Sequence, residues 1–278
     1  MRFVLNKTVV ITGAGGVLCG CFAKRLAKEG YRVALLDIQL DAAEAVAAEI
    51  RAEGGDVRAF RADVLDKESL VTAKAAVNAA FGPVTHLING AGGNNPKGTT
   101  TNETFRREDI DAKDVVSFFD LDPQGIEFVF NLNFLGTLLT TQVFARDFVD
   151  AGHGNILNIS SMNAYTPLTK IPAYSAAKAA VSNFTQWLAV HFAGAGIRVN
   201  AIAPGFFVTK QNQALLFDPQ GNPTPRTAKI LSQTPMNRFG KPEELCGTLL
   251  YLLDDDASGF VTGIVVPVDG GFSAYSGV

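Results

Sequence analysis

The sequence predicts a single α/β domain: a doubly wound parallel sheet with helices on both faces. Three observations carry that expectation. Short apolar runs such as Thr8–Ile11, Arg32–Leu36 and Thr85–Ile88 alternate with longer helical patterns along almost the whole chain. These runs are apolar on successive rather than alternate residues, as strands covered on both faces must be. The 278 residues, 47% of them hydrophobic, suffice for one substantial core, and no repeat, low-complexity tract or long linker divides residues 1–278.

Composition narrows the function classes. A net charge of −3 with scattered Lys and Arg provides no basic field for nucleic acid or an anionic membrane surface. No run of eighteen apolar residues suggests a bilayer span. The three cysteines are odd in number and no leader-like segment precedes the first strand, so a reducing, cytoplasmic location is expected. Cys19 and Cys21 have no third ligand at suitable spacing, and no metal is expected.

Taken in order, the first strand runs into Thr12-Gly13-Ala14-Gly15-Gly16-Val17-Leu18-Cys19-Gly20, and a helix follows to Glu29. Glycines there let the backbone approach a pyrophosphate, and the helix N-terminus presents free N–H groups and a positive dipole end. A tight turn without a ligand reads the same in isolation. The second strand ends at Asp37, twenty-four residues past Gly13, where an acid can accept both hydroxyls of an adenosine ribose. No Arg or Lys lies in the glycine loop or directly after Asp37, which favours NAD over NADP.

After a helix from Leu40 to Glu53, the third strand, Val57–Arg61, leads into Asp63-Val64. A helix from Lys67 to Phe81 precedes the fourth strand, which leads into Asn89-Gly90-Ala91-Gly92-Gly93. As bare residues, Asp63 fits a helix N-cap and Asn89 a turn former. Their place at strand carboxyl ends favours a ligand role, because open α/β sheets bind ligands there.

The polar stretch 94–125 is too long for an ordinary connection and reads as a surface insert or a substrate-side lid. A helix from Ile126 to Asp150 then carries Asn131 and Asn133, amides that cap a kink or serve the site. The strand Gly154–Ile159 delivers Ser160 and Ser161. Tyr174 and Lys178 open a helix that runs to about Phe192, four apart and therefore on one face. An ammonium beside a phenol favours the phenolate and lowers the tyrosine pKa, as proton exchange with an alcohol or ketone needs. A surface ion-pairing face would show the same spacing. Strands at Arg198–Ile202 and Val265–Val268 close the series.

With these motifs in this order, the chain from Lys7 to Gly271 resembles the short-chain dehydrogenase/reductase family. The resemblance implies a Rossmann-like fold, NAD as cofactor and oxidoreductase activity on CH–OH groups. It implies a catalytic set of Asn133, Ser161, Tyr174 and Lys178. Tyr174 would exchange the proton, Ser161 hold the substrate oxygen, Lys178 lower the tyrosine pKa and bond the nicotinamide ribose, and Asn133 hold a water linking Lys178 to solvent. The implied coenzyme contacts are Gly13, Gly15, Gly16, Val17, Leu18, Asp37, Asp63, Val64, Asn89, Gly90 and Ala91. Tyr174, Lys178, Pro204, Gly205, Phe207 and Thr209 complete them, Thr209 meeting the carboxamide. One departure stands out: the family fingerprint Thr-Gly-x-x-x-Gly-x-Gly has Val17 and Cys19 in place of its second and third glycines, so the Val17 side chain must point away from the pyrophosphate.

At finer grain, the segments Leu87–Lys97, Ser161–Lys170 and Gly271–Val278 are similar to those of D-mannonate oxidoreductases, also called fructuronate reductases. That implies interconversion of D-mannonate and D-fructuronate in hexuronate breakdown. Loop residues suited to a sugar acid are Asn94, Asn163, Lys210 and Gln211, with Asn95, Lys97 and Asn212 nearby, each also an ordinary solvated residue. Another polyol, keto sugar or sugar acid is the enzymatic alternative. A non-catalytic NAD-binding regulator is the alternative of a different class, and the intact Tyr174, Lys178, Ser161 and Asn133 argue against it. Apolar residues along the Tyr174 helix (Val181, Phe184, Trp187, Leu188, Phe192), taken with the resemblance, imply a homotetramer.

Overall fold

Among the described residues the alternating runs become seven strands and ten α-helices. The structure, a computed structural model, describes residues 7–209 and 213–277. The strands are β1 (Thr8–Thr12), β2 (Arg32–Asp37), β3 (Val57–Arg61), β4 (His86–Asn89), β5 (Gly154–Ile159), β6 (Ile197–Pro204) and β7 (Val265–Val268). The helices are α1 (Val17–Lys28), α2 (Leu40–Ala52), α3 (Lys67–Phe81), α4 (Pro123–Phe130), α5 (Gly136–Ala151), α6 (Pro172–Phe192), α7 (Gln213–Leu216), α8 (Pro225–Ser232), α9 (Cys246–Leu253) and α10 (Asp255–Ser258). The sheet order is β3-β2-β1-β4-β5-β6-β7 with every pairing parallel. The direction of winding reverses between β1 and β4, and the crevice outside their carboxyl ends is where such a sheet receives a ligand.

Two cores explain why the strands are apolar on successive residues. Val9, Ile11, Val33 and Leu35 pack with Phe22 and Leu26 of α1 and Leu249 and Leu252 of α9. The intervening Val10, Ala34 and Leu36 pack on the other face with Leu70 and Val77 of α3 and Phe144 and Phe148 of α5. Successive side chains of a strand point to opposite faces, so a sheet buried on both sides needs an apolar residue at each position.

The expected helix over 126–150 is corrected in two ways. It starts at Pro123, because the Asp122 side chain accepts from the Gln124 N–H and Pro stands at the first turn, a start that needs no hydrogen-bonded N–H. It is also interrupted by a π-helical turn, Asn131–Leu135, before α5 continues. Counted through the π-turn, the helical run Pro123–Ala151 is long and apolar enough to cross a bilayer by length and composition, which counting apolar residues in the sequence did not suggest. Half of its most apolar stretch is buried inside the protein, and Phe144 and Phe148 are fully enclosed.

The 94–125 stretch carries three single 3-10 turns, Pro96–Gly98, Arg107–Asp109 and Phe118–Asp120. Backbone bonds fasten it: Thr101 N–H to the Val116 carbonyl (2.9 Å), Asp122 N–H to Lys97 (3.1 Å), and Thr100 N–H to Lys170 just before α6 (2.9 Å). An ion pair between Glu103 and Lys229 joins it to α8.

His86 makes the stability of this sheet pH-dependent. It is 3% exposed, meets Tyr31 edge-on at 5.4 Å and shares a 2.8 Å hydrogen bond between Nδ1 and the Thr85 hydroxyl. Burial, helped by the nearby Lys7 charge, pushes its pKa down to about 4. The unfolded chain therefore binds the proton more readily; the contribution is complete above pH 6.5 and is lost as the pH falls towards 4. Urea unfolding should show a loss of ~3 kcal/mol across that window, and His86→Gln should flatten it. Parallel losses in both proteins would assign the slope elsewhere.

Candidate active site

The carboxyl ends of β1, β2 and β4 build the first half of the site. Thr12 caps β1, and its hydroxyl accepts from the Gly90 and Ala91 N–H groups at 3.1 and 3.2 Å, binding the two loops together. Gly13 takes φ +65°, and a Cβ there would lie 2.9 Å from the Ala91 backbone, so glycine is required on both counts. Asp37 ends β2; its carboxylate accepts from the Gly15 N–H at 3.0 Å and the Gln39 N–H at 2.9 Å, which holds the acid against the glycine loop. Gly16 caps α1 without any side-chain bond, and no acid stands in the first turn. That end offers N–H donors and a positive dipole to an anion.

Val17 and Cys19 are accommodated differently. Val17 is the first residue of α1 and half-buried. Cys19 is 5% exposed, and its Sγ occupies the space left by Gly90, where a Cβ would come within 2.2 Å of the sulfur. A side chain replaces a glycine on the helix because a glycine faces it on the loop. Burial pushes the Cys19 thiol up to about 12, so it stands neutral.

Asp63 and Asn89 both lie where expected but spend their side chains on the protein. The Asp63 carboxylate accepts from the Leu65 N–H at 2.9 Å, and the N-cap of α3 is Asp66, whose side chain accepts from Glu68. Val64 packs against Gly136, where a Cβ would meet it at 2.8 Å. Asn89 is 2% exposed; its amide donates to the Thr141 hydroxyl at 3.0 Å and to Asn158 Oδ1 at 2.8 Å, and Asn158 donates in turn to Thr185 at 2.9 Å. The Asn89 amide nitrogen is thus engaged with the core, as a buried donor must be, while its Oδ1 has no hydrogen-bond partner.

The second half of the site is built by α4, the π-turn, β5 and α6. Asn133 sits in the π-turn, fully buried. Its Nδ2 donates to the carbonyls of Gly93 (2.7 Å) and Val129 (2.8 Å), and its Oδ1 accepts from the Gly93 N–H at 3.2 Å. The side chain thus clamps the turn after β4 to the helix, and π-turns of this kind recur at functional sites. Both amide hydrogens are engaged with protein, so only Oδ1 is left to receive a water.

At the end of β5 the two serines divide. Ser160 is structural: its hydroxyl lies 2.7 Å from that of Ser182 and donates to the Lys178 carbonyl at 3.2 Å. Ser161 is 7% exposed, accepts from the Asn163 N–H at 3.2 Å and reaches the Tyr174 hydroxyl. Lys178 is 4% exposed; its Nζ donates to the Ile159 carbonyl at 2.8 Å and stands 5.7 Å from the centre of the Tyr174 ring. Asn133, Ser161, Tyr174 and Lys178, scattered over 46 positions of sequence, are therefore brought to one place.

The electrostatics correct one expectation. Burial pushes Tyr174 above the ordinary phenol range, with the Ser161 hydrogen bond pulling the other way, rather than leaving it lowered towards neutrality. Burial also lowers Lys178 to about 8. Desolvation disfavours the charged form of each group, and in this structure it is the largest influence on both.

Elsewhere, Gly205 donates its N–H to the Val268 carbonyl at 2.9 Å, and a Cβ there would meet Asp269 at 2.5 Å. Pro204 ends β6, Phe207 is 5% exposed, and the Thr209 carbonyl accepts from Gln213 at 3.0 Å. Of the sugar-acid candidates, Asn94 is exposed and donates to Thr99 at 3.1 Å. Asn163 is 4% exposed with no hydrogen-bond partner for its Oδ1. Lys210, Gln211 and Asn212 lie outside the described residues.

Sequence reasoning passed over Gly92. A Cβ there would lie 2.6 Å from Asn133 Oδ1 and 3.2 Å from Lys178 Nζ, closer than a carbon can sit, so the glycine lets this loop lie against the two polar groups. Its signal was present only as one glycine among three in Gly90-Ala91-Gly92-Gly93. Gly92→Ala should fold normally and lower kcat/KM by about 10²-fold, because a shift of about 1 Å at a catalytic group costs that much. Steady-state assays beside a thermal melt check it; unchanged kcat/KM would show that position 92 does not set the geometry of Asn133 and Lys178.

A model of the short chain dehydrogenase family matches residues 7–219. Over 273 residues the chain is 60% identical to an uncharacterized oxidoreductase of Haemophilus influenzae, spanning 98% of this chain and 95% of that one. Over the same length it is 55% identical to the uncharacterized oxidoreductase UxuB of Bacillus subtilis, spanning 98% and 97%. Among solved structures, a protein from Haemophilus influenza with bound NAD, named a "putative D-Mannonate oxidoreductase", superposes with a TM-score of 0.94 at 58% identity, covering 100% of this chain and 98% of its own.

Proposed function

The chain belongs to the short chain dehydrogenase family and is an oxidoreductase, and from that premise we propose that it uses NAD to interconvert D-mannonate and D-fructuronate. The observation that carries the chemistry is the convergence of Ser161, Tyr174 and a buried Lys178 at the end of β5. The choice of substrate rests on the similarity to the NAD-bound Haemophilus protein. The residues present fit NAD. The uncapped N-terminus of α1 suits a pyrophosphate, Asp37 suits ribose hydroxyls, and Ile38 and Gln39 after it offer no cation to a 2′-phosphate.

When bound, the nicotinamide supplies hydride chemistry. The protein supplies position and the proton. Ser161 holds the substrate oxygen beside the Tyr174 hydroxyl, and Tyr174 donates its proton to that oxygen in the reducing direction and takes it back in the other. Lys178 sets its charge close to the phenol and stabilises the phenolate left behind. A water held by Asn133 Oδ1 links Lys178 Nζ to solvent and restores the proton. Asn94 and Asn163 meet the sugar-acid hydroxyls. Trp187 and Val190 on α6, 56% and 81% exposed, with Phe128 on α4, form the contact of a homotetramer.

The test is a panel of NADH oxidation assays with fructuronate, tagaturonate and neutral ketoses. Fructuronate is expected to turn over fastest, with D-mannonate the substrate in reverse. Preference for another keto sugar would reassign the substrate. NADH binding without oxidation of any of them would return the protein to a coenzyme-binding regulator. Light scattering on a size-exclusion column should give four chains.

A further inference from the structure

Two thiols that the reaction does not use lie side by side. Cys21 on α1 and Cys246 at the start of α9 are 225 positions apart in the chain, yet their sulfurs stand 3.8 Å apart. Cys21 is partly exposed and Cys246 is 2% exposed, so the pair runs from a residue near the surface to one enclosed between the helices. The two helices are already packed together, with Phe22 and Leu26 of α1 in one cluster with Leu249 and Leu252 of α9. Bonding requires the sulfurs to close by only ~1.7 Å, from contact to a covalent separation of about 2.05 Å. Cys19 is excluded from the pair by helix geometry. Two residues before Cys21, it points about 200° away around the axis, and its sulfur is packed against Gly90.

We propose that Cys21 and Cys246 form an oxidant-sensitive dithiol that closes reversibly into a disulfide, with a peroxide as oxidant. One sulfur of the pair, as thiolate, attacks one peroxide oxygen; the O–O bond breaks, and the departing hydroxide takes up the thiol proton as water, leaving a sulfenic acid. The other sulfur then attacks that sulfur, the S–O bond breaks, and a second water leaves with the second thiol's proton. Two thiols are oxidised by two electrons and one peroxide is reduced to two waters. The bond staples the helix that follows the glycine loop to α9 and restricts the unfolded chain across a long loop. Its main effect is on resistance to unfolding, because neither cysteine touches the Tyr174 centre.

The experiment treats fully reduced protein with a small excess of hydrogen peroxide, then alkylates it under denaturing conditions for intact mass and peptide mapping. The expected result is a loss of two hydrogens, one alkylated cysteine (Cys19) in place of three, a peptide joining Cys21 to Cys246, a higher melting temperature and full reversal by dithiothreitol. Cys21→Ser should keep wild-type turnover and give no joined peptide. Three alkylated cysteines after peroxide, Cys21 recovered as sulfinic acid with Cys246 free, or a cross-link between two chains would each overturn the proposal. None of these readouts requires turnover, so failure here is separate from failure of the proposed function.

Discussion

Tyr174→Phe is expected to lower kcat/KM for keto-acid reduction by about 10³-fold, or ~4 kcal/mol of transition-state stabilisation, while NADH binding stays within a few-fold. The substitution removes one oxygen. The ring keeps its place over Lys178, whose Nζ lies 5.7 Å from its centre, and Ser161 still accepts from the Asn163 N–H. What disappears is the proton that must reach the substrate oxygen as hydride arrives at the carbon. Coenzyme titration by fluorescence, run beside steady-state NADH oxidation, separates the two effects. Undiminished turnover in the variant would remove Tyr174 from the mechanism, and a matching loss of NADH affinity would show that the change disturbed the pocket instead.

Lys178→Met is expected to act through charge, and its signature lies in the pH profile. A unit charge 5.7 Å from the centre of the Tyr174 ring, at an effective dielectric constant of about 20, stabilises the phenolate by ~3 kcal/mol, or about two pKa units. Burial pushes Tyr174 upward and the Ser161 hydrogen bond pulls it back, and a charged Lys178 beside the ring acts in the same direction as that bond. Alcohol oxidation rises with pH as the tyrosine loses its proton. Without the positive charge that limb should move about two units higher, and activity at neutral pH should fall about 10²-fold. Loss of the 2.8 Å bond also leaves the Ile159 carbonyl without its donor, at a cost of about 1–3 kcal/mol in stability. A variant that is less stable but keeps its alkaline limb in place would make Lys178 a purely structural residue.

Much of the site was legible because its parts are local patterns. Tyr174 and Lys178 share a helix face by spacing alone, and Asp37 and the glycine loop follow strands whose apolar runs mark their ends. Asn89 was harder. Whether a strand-end asparagine meets a ligand or the core depends on Thr141, Asn158 and Thr185, which lie 52 to 96 positions further along. The π-turn at Asn131–Leu135 has no composition that distinguishes it from the α-helix around it; it is maintained by the clamp between Asn133 and Gly93, a loop residue 40 positions away. The tyrosine pKa was misjudged because spacing reports the neighbour and not the burial.

By itself, then, the sequence determined the strand and helix alternation, the burial of both sheet faces, the positions of Asp37, Ser161, Tyr174 and Lys178, and the family resemblance that named their chemistry. These are set by backbone periodicity and by residues a few places apart. Only the tertiary structure decided which way Asn89 turns, why Cys19 can stand where a glycine was expected, why Gly92 must lack a side chain, and that Cys21 meets Cys246. Each of those depends on which distant groups share one interior, where close packing leaves no room for an extra methyl and an amide without a partner is costly.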